Sequence, residues 1–382
     1  MSYKFRKGDR VRYTPHHAGG NPYHKDCQDG VVSSTNDRFV FVKYDTADCT
    51  METGDEDYTA QATEPRELQI WWSEMDFELR NGDSEKIIRQ IEDFIIGQMY
   101  KFDKKKSSVV VGLSGGADST LVAAITKRAF DRAAAEGRGK FELFGLCMPS
   151  SANRQADLVD GMAVASRLEI PCRVIDIQPI VAAHLEGMKE ELSKFDQGNM
   201  MSRIRANILS TFAAKKDGYV IGTGNNDEDE GVGYYTLFGD GAVHFSPIGD
   251  LPKRIVFQLL KHLGFMDAAF REPTAGLEPG QSDFRDLGYS YDFVEVTLQI
   301  ERYREAGNDP DKGEFLPPGS PIGYAANLFR RDNARYKELY GKAKHANEMC
   351  AYVDFLRRNK IARMKARLIS PEVCRIDWEE VK

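Results

Sequence analysis

The stretch VVVGLSGGADSTLVAAITKRAF, residues 109–130, constrains the fold more than any other. An apolar run of β-formers stops at two glycines, and a helix-forming run follows at once with an acid and hydroxyls in its first turn. Gly115 and Gly116 carry no Cβ, so their backbone N–H groups can converge on an anion at the positive end of that helix. Ser114, Ser119 and Thr120 add hydroxyl donors, and Asp118 adds a carboxylate that can hold Mg²⁺. No Lys-Ser or Lys-Thr follows the glycines, so the turn is not a Walker loop.

Strands and helices alternate around this turn. SEKIIRQIEDFIIGQMYKF (84–102) is apolar at helical spacing, with Asp83 and Ser84 placed to cap its start. FELFGLCM (141–148), CRVIDI (172–177) and YVIGTG (219–224) read as further strands, with ADLVDGMAVASRL (156–168) and RIRANILSTFAAKK (203–216) as helices between them. That order predicts an α/β fold, a doubly wound and mostly parallel sheet with ligands at the carboxyl ends of its strands. Upstream, KFRKGDRVRYTP, DGVVSS and DRFVFVKYD read as short strands of a small N-terminal β-barrel. They resemble an SH3-like or KOW-like module over residues 1–70, ahead of a domain over 80–382. The acidic, Thr-rich stretch 45–67 reads as a loop or linker, and residues 301–382 as a charged, mostly helical part.

Composition narrows the partners. A net charge of −7 denies the chain a general electrostatic grip on nucleic acid. No apolar run approaches the ~18 residues of a membrane span, and MSYKFRKGDR lacks the apolar core of a signal peptide. The 6 cysteines form neither a CxxC pair nor a disulfide framework, so reduced thiols in a cytoplasm are expected. His16, His17, His24, Cys27 and Cys49 fit no zinc-finger spacing, and surface or turn roles are expected for them.

The turn SGGADS resembles the PP-loop of the ATP pyrophosphatases, which bind ATP and cleave it between its α and β phosphates. VIGTGNNDEDEGVGYYTLFGDGAVHFSPIGDLPKR (220–254) is similar to the segment of NAD synthetases in which a GT turn, an acidic metal ligand, an FGDG turn and a lysine recur in order. QGNMMSRIRANILSTFAA resembles that family's GNxxARxR helix, and EPTAGLEPGQSDFRDLGYSYDFV its mobile substrate loop. The resemblance spans about 84–300. It implies ammonia-dependent amidation of deamido-NAD, with ATP as co-substrate and Mg²⁺ as cofactor, in a homodimer. No nitrilase-type glutaminase is expected ahead of this domain, so ammonia would be free or come from a separate glutaminase.

The same resemblance assigns the residues. Ser114, Gly115, Gly116, Asp118, Ser119, Thr223 and Lys253 would bind ATP. Asn199, Arg203 and Arg205 would bind deamido-NAD; Asn199 and Arg203, at i and i+4, share a helix face that Arg205 shares incompletely. Asp240 would sit near ammonia as a buried carboxylate that attracts the ammonium ion and accepts its proton. Asp118 would share Mg²⁺ with an acid of NNDEDEG. The segment is one residue longer than the family's, so counting from Thr223 gives Glu228 and counting back from Asp240 gives Asp229; Glu228 is favoured. Gly276 and Phe284 stand where the family carries acids, which leaves open a different nucleotide or a different clamp. LRRNKIARMKARL resembles the family's basic tail and reads equally as a phosphate contact or a solvated helix face. Another carboxyl or carbonyl substrate for an ATP pyrophosphatase, or a silent binding protein led by the barrel, are the alternatives.

Overall fold

The computed structural model describes residues 81–101, 106–151, 155–274, 276, 281–307 and 321–381, with 10–13, 15, 28–35, 39–44, 61–63 and 68–70. The chain divides into two compact units, residues 1–78 with 288–351, and residues 79–287 with 352–382. Residues 288–351, expected to continue the C-terminal domain, thus group with the first unit.

In the first unit, β1 (Arg10–Tyr13), β2 (Gln28–Thr35), β3 (Val40–Tyr44), β4 (Gln61–Thr63) and β5 (Leu68–Ile70) form one antiparallel sheet in the order β4-β3-β2-β1-β5. Val11, Val40 and Val42 are buried. Because β3 pairs with β4, part of the expected 45–67 linker is strand. Among the described residues no pairing joins β4 to β5, so the described strands form an open ladder. His16, His17, His24, Cys27 and Cys49 lie outside the described residues.

The second unit opens with α1 (Asn81–Gln98), whose Ile87, Ile88, Ile91, Ile95 and Ile96 are fully buried. The helix starts at Asn81, so Asp83 and Ser84 lie within its first turn and not ahead of it. Then come β6 (Ser108–Gly112), α2 (Ala117–Ala135), β7 (Glu142–Cys147), α3 (Gln155–Arg167) and β8 (Cys172–Val174). α4 (Gln178–Met188), α5 (Lys194–Lys215) and β9 (Gly218–Val220) follow. The four strands are parallel in the order β8-β7-β6-β9. Val109, Val110 and Val111 of β6 are all buried, the mark of a strand covered on both faces by helices. A Cβ on Gly218 would fall 2.3 Å from Ser108 Oγ, so glycine there lets β9 lie against β6.

The winding decides where a ligand can sit. The chain steps outward from β6 to β8, then returns to place β9 on the other side of β6. Loops leaving β6 and β9 therefore diverge to opposite faces, and a crevice opens between their carboxyl ends. A π-helical turn (Asp227–Val232) follows β9; then come β10 (Phe245–Ser246), paired in parallel with β11 (Glu372–Val373), and α6 (Lys253–His262). Short helices α7 (Met266–Ala269) and α8 (Asp283–Leu287) complete this run.

In the first unit, α9 (Tyr291–Glu305) and α10 (Pro321–Tyr340) are tied at the start of α9, where Arg331 Nη2 donates to Ser290 Oγ (2.7 Å) and Ser290 N donates to Asp332 Oδ2 (2.8 Å). The chain ends with α11 (Glu348–Leu368) and α12 (Trp378–Val381). Among the described residues no helix is long and apolar enough to cross a membrane.

Candidate active site

A cavity of about 630 Å³ lies at the carboxyl ends of β6 and β9. Ser114, Gly116, Asp118, Ser119, Asn199, Arg205, Thr223, Glu228, Asp229, Asp240 and Lys253 all line it. The structure thus gathers most of the expected residues; Gly115 and Arg203 do not line the cavity.

The Gly-Gly turn explains Gly115. Its φ of +74° lies in the left-handed region, and a Cβ there would fall 2.7 Å from Asp160 Cβ and 2.9 Å from Gly161 N. Glycine at 115 is therefore required by backbone conformation and by packing on α3. Gly116 is the N-cap of α2 and supplies no side-chain cap. Its amide donates to Ser114 Oγ (3.2 Å), which also lies 3.1 Å from Ser119 Oγ. The helix thus starts at the cavity with hydroxyls and early amides, a setting that favours an anion.

Opposite charges meet beside the turn. Lys253, at the start of α6 and 3% exposed, donates through Nζ to Asp118 Oδ2 (2.5 Å) and Glu228 Oε1 (2.8 Å). Asn225 Nδ2 donates to Asp118 Oδ1 (3.1 Å), and Asn225 Oδ1 accepts from Glu228 N (3.1 Å), so one buried amide ties the Asp118 carboxylate to the backbone of the π-helical turn. Asp227 Oδ2 accepts from Lys253 N (2.8 Å), anchoring α6 to the π-helical turn. Burial disfavours the charged lysine, but Asp118, Glu228 and Asp283 together outweigh it and hold the ammonium protonated above the ordinary lysine range. Burial pushes the Glu228 carboxyl up to about 7, with Lys253 opposing and Asp118 and Asp283 adding to the rise. Burial, then the neighbouring Glu228, raises Asp229 well above the carboxylate range. Of the two acids open from the sequence, the structure places Glu228 on the shared lysine. Asp229 lies against Gly224, where an added Cβ would fall 2.2 Å from its carboxylate.

The other end of the cavity departs from expectation. Asn199, Ser202, Arg205, Ala206 and Leu209 of α5 line it, a stripe that runs by threes and fours and includes Arg205 but not Arg203. Arg203 is exposed and donates to Leu237 O (3.2 Å). Arg205 donates through Nε to Met148 O (3.0 Å), and burial lowers its pKa to about 10 against the pull of Asp240. Asp240, expected to be buried, is exposed, because it stands on a turn at the cavity's rim. Its Oδ1 accepts from Ser202 Oγ (2.8 Å) and Thr236 N (2.9 Å), so the carboxylate is held in place.

Asn225, Asp227, Ser202 and Arg271 escaped the sequence reading. The first two sit in a run of acids and amides that resembles a solvated loop, and only their burial gives them meaning. In the C-terminal tail, Asn359 Nδ2 donates to Glu230 O (2.8 Å) and Gly231 O (2.9 Å), and Lys365 Nζ to Gly233 O (2.8 Å) and Tyr235 O. These two residues grip the backbone behind Glu228 and Asp229, and Arg358 and Lys365 also line the cavity. Arg357, Lys360, Arg363 and Arg367 are exposed.

Fold and site define a doubly wound α/β protein with a Gly-Gly turn and a lysine-bridged carboxylate pair at its switch point. The family model for NAD synthase matches residues 87–314. An NH(3)-dependent NAD(+) synthetase of Hyperthermus butylicus is 37% identical over 223 residues, 58% of this chain and 77% of that protein. One from Campylobacter jejuni is 36% identical over 218 residues, 57% of this chain and 83% of that protein. Among solved structures, an NMN synthetase from Francisella tularensis aligns with a TM-score of 0.52 and 26% identity, covering 69% of this chain and 97% of that one. The chain belongs to the NAD synthase family.

The raised Glu228 carboxyl yields a test. A carboxyl held above its unfolded value binds its proton more tightly in the folded state, so its contribution is full below pH 4.5 and is lost as pH rises through about 7. In chelator-treated protein, Glu228→Gln should match wild type in thermal unfolding at low pH and become the more stable of the two above neutrality. Equal unfolding temperatures on both sides of neutrality would show that Glu228 ionises without penalty.

Proposed function

We propose that the protein is an ammonia-dependent NAD synthetase. It is a ligase that amidates the nicotinate carboxylate of deamido-NAD through an acyl-adenylate, with ATP cleaved to AMP and pyrophosphate. The observation that carries this reading is the Asp118–Lys253–Glu228 cluster beside the Gly-Gly turn, in a chain of the NAD synthase family. The names of the H. butylicus and C. jejuni relatives support it.

A carboxylate is a poor acyl donor because oxide is a poor leaving group. Adenylation converts that oxygen into part of AMP, which ammonia displaces. Bringing the substrate anion up to a triphosphate demands placement and compensating charge. Ser114, Gly116, Ser119 and Thr223 would seat the phosphates and nucleotide, Gly115 shaping the turn, and Lys253 would move charge onto the triphosphate. Two carboxylates converging on one cation fit Mg²⁺, a hard ion that takes oxygen ligands and fills its shell from phosphates and water. Asp118 and Glu228 would hold it, and when bound it would offset negative charge on the phosphates. Asn199 and Arg205, with Arg203 beside them, would grip deamido-NAD. Asp240, fixed by Ser202 and Thr236, would attract ammonium at the cavity rim and accept its proton.

The active unit is a homodimer in this reading. Val159 and Met162 of α3, Ile180 and Met188 of α4 and Phe195 of α5 are exposed apolar side chains, and an interface would cover them. The N-terminal strands would belong to a small SH3-like module of unassigned ligand, supported by the strand order β4-β3-β2-β1-β5, and the catalytic residues all lie in the unit of residues 79–287 with 352–382. A second reading, amidation of the corresponding mononucleotide, has in its favour the F. tularensis likeness and the missing acids at Gly276 and Phe284.

Asp118→Asn keeps the side chain's shape and removes its charge. It should reduce AMP formation by about 10³-fold or more, with deamido-NAD affinity measured without ATP changing by less than about 1 kcal/mol. Near wild-type AMP formation would remove Asp118 as a metal ligand.

Nitrogen should come from ammonia. Turnover at fixed total ammonium should rise between about pH 7 and 9 as the free base appears. Glutamine that supports equal rates in the purified protein would contradict this.

A further inference from the structure

Arg271 lies in sequence just ahead of the substrate-loop segment, yet its guanidinium reaches back 156 residues to the phosphate-binding turn. Nη1 donates to Gly115 O (2.8 Å) and to Asp160 Oδ2 (2.7 Å), and Nη2 donates to Asp157 Oδ1. The Arg271 side chain is 16% exposed and that of Asp157 13%, whereas that of Asp160 is 51% exposed, so the fork is withdrawn from water on its Asp157 side. Its positive charge is matched by two carboxylates of α3. What it adds to the cavity is therefore chiefly geometric.

The peptide between Gly115 and Gly116 is the most easily turned in the site. Rotating it changes ψ of one glycine and φ of the next, and neither has a Cβ to resist. In a trans peptide the carbonyl and the following N–H point to opposite sides. A carbonyl drawn toward α3 thus sends the Gly116 N–H the other way. That amide does donate to Ser114 Oγ (3.2 Å), and both Gly116 and Ser114 line the cavity. The reversed peptide would present a carbonyl oxygen, negative end outward, to a phosphate.

We propose that Arg271 is a positioning residue for nucleotide binding, one that holds the Gly115 carbonyl on the α3 side of the turn so that the Gly116 amide faces the phosphates. The inference rests on the ATP-binding reading of this cavity. It assigns Arg271, with Asp157 and Asp160 orienting it, a role in selecting one of two peptide orientations. Lysine cannot replace it, because one ammonium cannot span the carbonyl and both carboxylates with the planar fork's geometry.

The test measures ATP and deamido-NAD affinities separately, by calorimetry on the full chain, for wild type, Arg271→Lys, Arg271→Met and the double variant Arg271→Met/Asp157→Asn. ATP affinity should fall about tenfold or more in all three variants, with deamido-NAD affinity within about twofold of wild type. A further variant, Arg271→Ala, should lose ATP affinity likewise and regain part of it in millimolar guanidinium, a response that a general packing defect would not give. If Arg271→Met fails to fold, Arg271→Lys and the rescue carry the test. Unchanged ATP affinity in Arg271→Lys overturns the proposal. So does full recovery in the double variant, which would show that charge balance alone matters, and so does an equal loss for both ligands. Wild-type protein that binds no ATP overturns the nucleotide reading itself, and this inference with it.

Discussion

One ammonium group, Lys253 Nζ, registers three segments that are far apart in the chain. It joins Asp118 after β6, Glu228 on the turn after β9, and the start of α6. Neither side of this arrangement is stable alone. Two carboxylates so placed would repel each other, and a lysine this buried would lose its proton without them. Asn225 and Asp227 then fix the acids and the helix start, so that the cluster is held by side chains on every side. In the proposed reaction the same group can exchange carboxylate partners for phosphate as charge arrives.

The place of this cluster follows from topology. β6 and β9 are neighbours whose following loops leave in opposite directions, and the crevice between them is where the Gly-Gly turn and the π-helical turn face each other. The turn is rigid on its far side. Gly115 packs against α3 with no room for a Cβ, and Arg271 ties its carbonyl to Asp157 and Asp160. In the proposed reading this rigidity would hold the turn's donors in place before the phosphates arrive, which is the condition for electrostatic preorganisation.

The sequence showed the parallel sheet because β6, β7 and β9 are apolar runs and the helices between them keep their period. It showed the Gly-Gly turn because local steric need leaves a local trace. Counting along the sequence left Glu228 and Asp229 both open, since the two counts start from different ends of the segment. The segment folds as a π-helical turn that sets Glu228 on Lys253 and leaves Asp229 against Gly224, a difference that only the fold creates. Arg205 was underrated because an i, i+4 pairing with Arg203 ignores which stripe of α5 faces the cavity. Arg271 and Asn225 left no trace, because the Gly115 carbonyl and the Asp118 carboxylate that give them meaning are distant in sequence. Asp240 was misjudged in burial, since an FGDG turn says nothing of whether it stands inside or at a rim.

The central claim, that the carboxylate is activated by transfer to the α phosphorus of ATP, can be tested by following one oxygen. Deamido-NAD labelled with ¹⁸O in its nicotinate carboxylate would be incubated with the protein, ATP, Mg²⁺ and ammonium, and the products analysed by mass spectrometry. The account predicts NAD as product, with one labelled oxygen delivered to AMP and none to pyrophosphate. Label in pyrophosphate or inorganic phosphate, or NAD formed with unlabelled AMP, would contradict it.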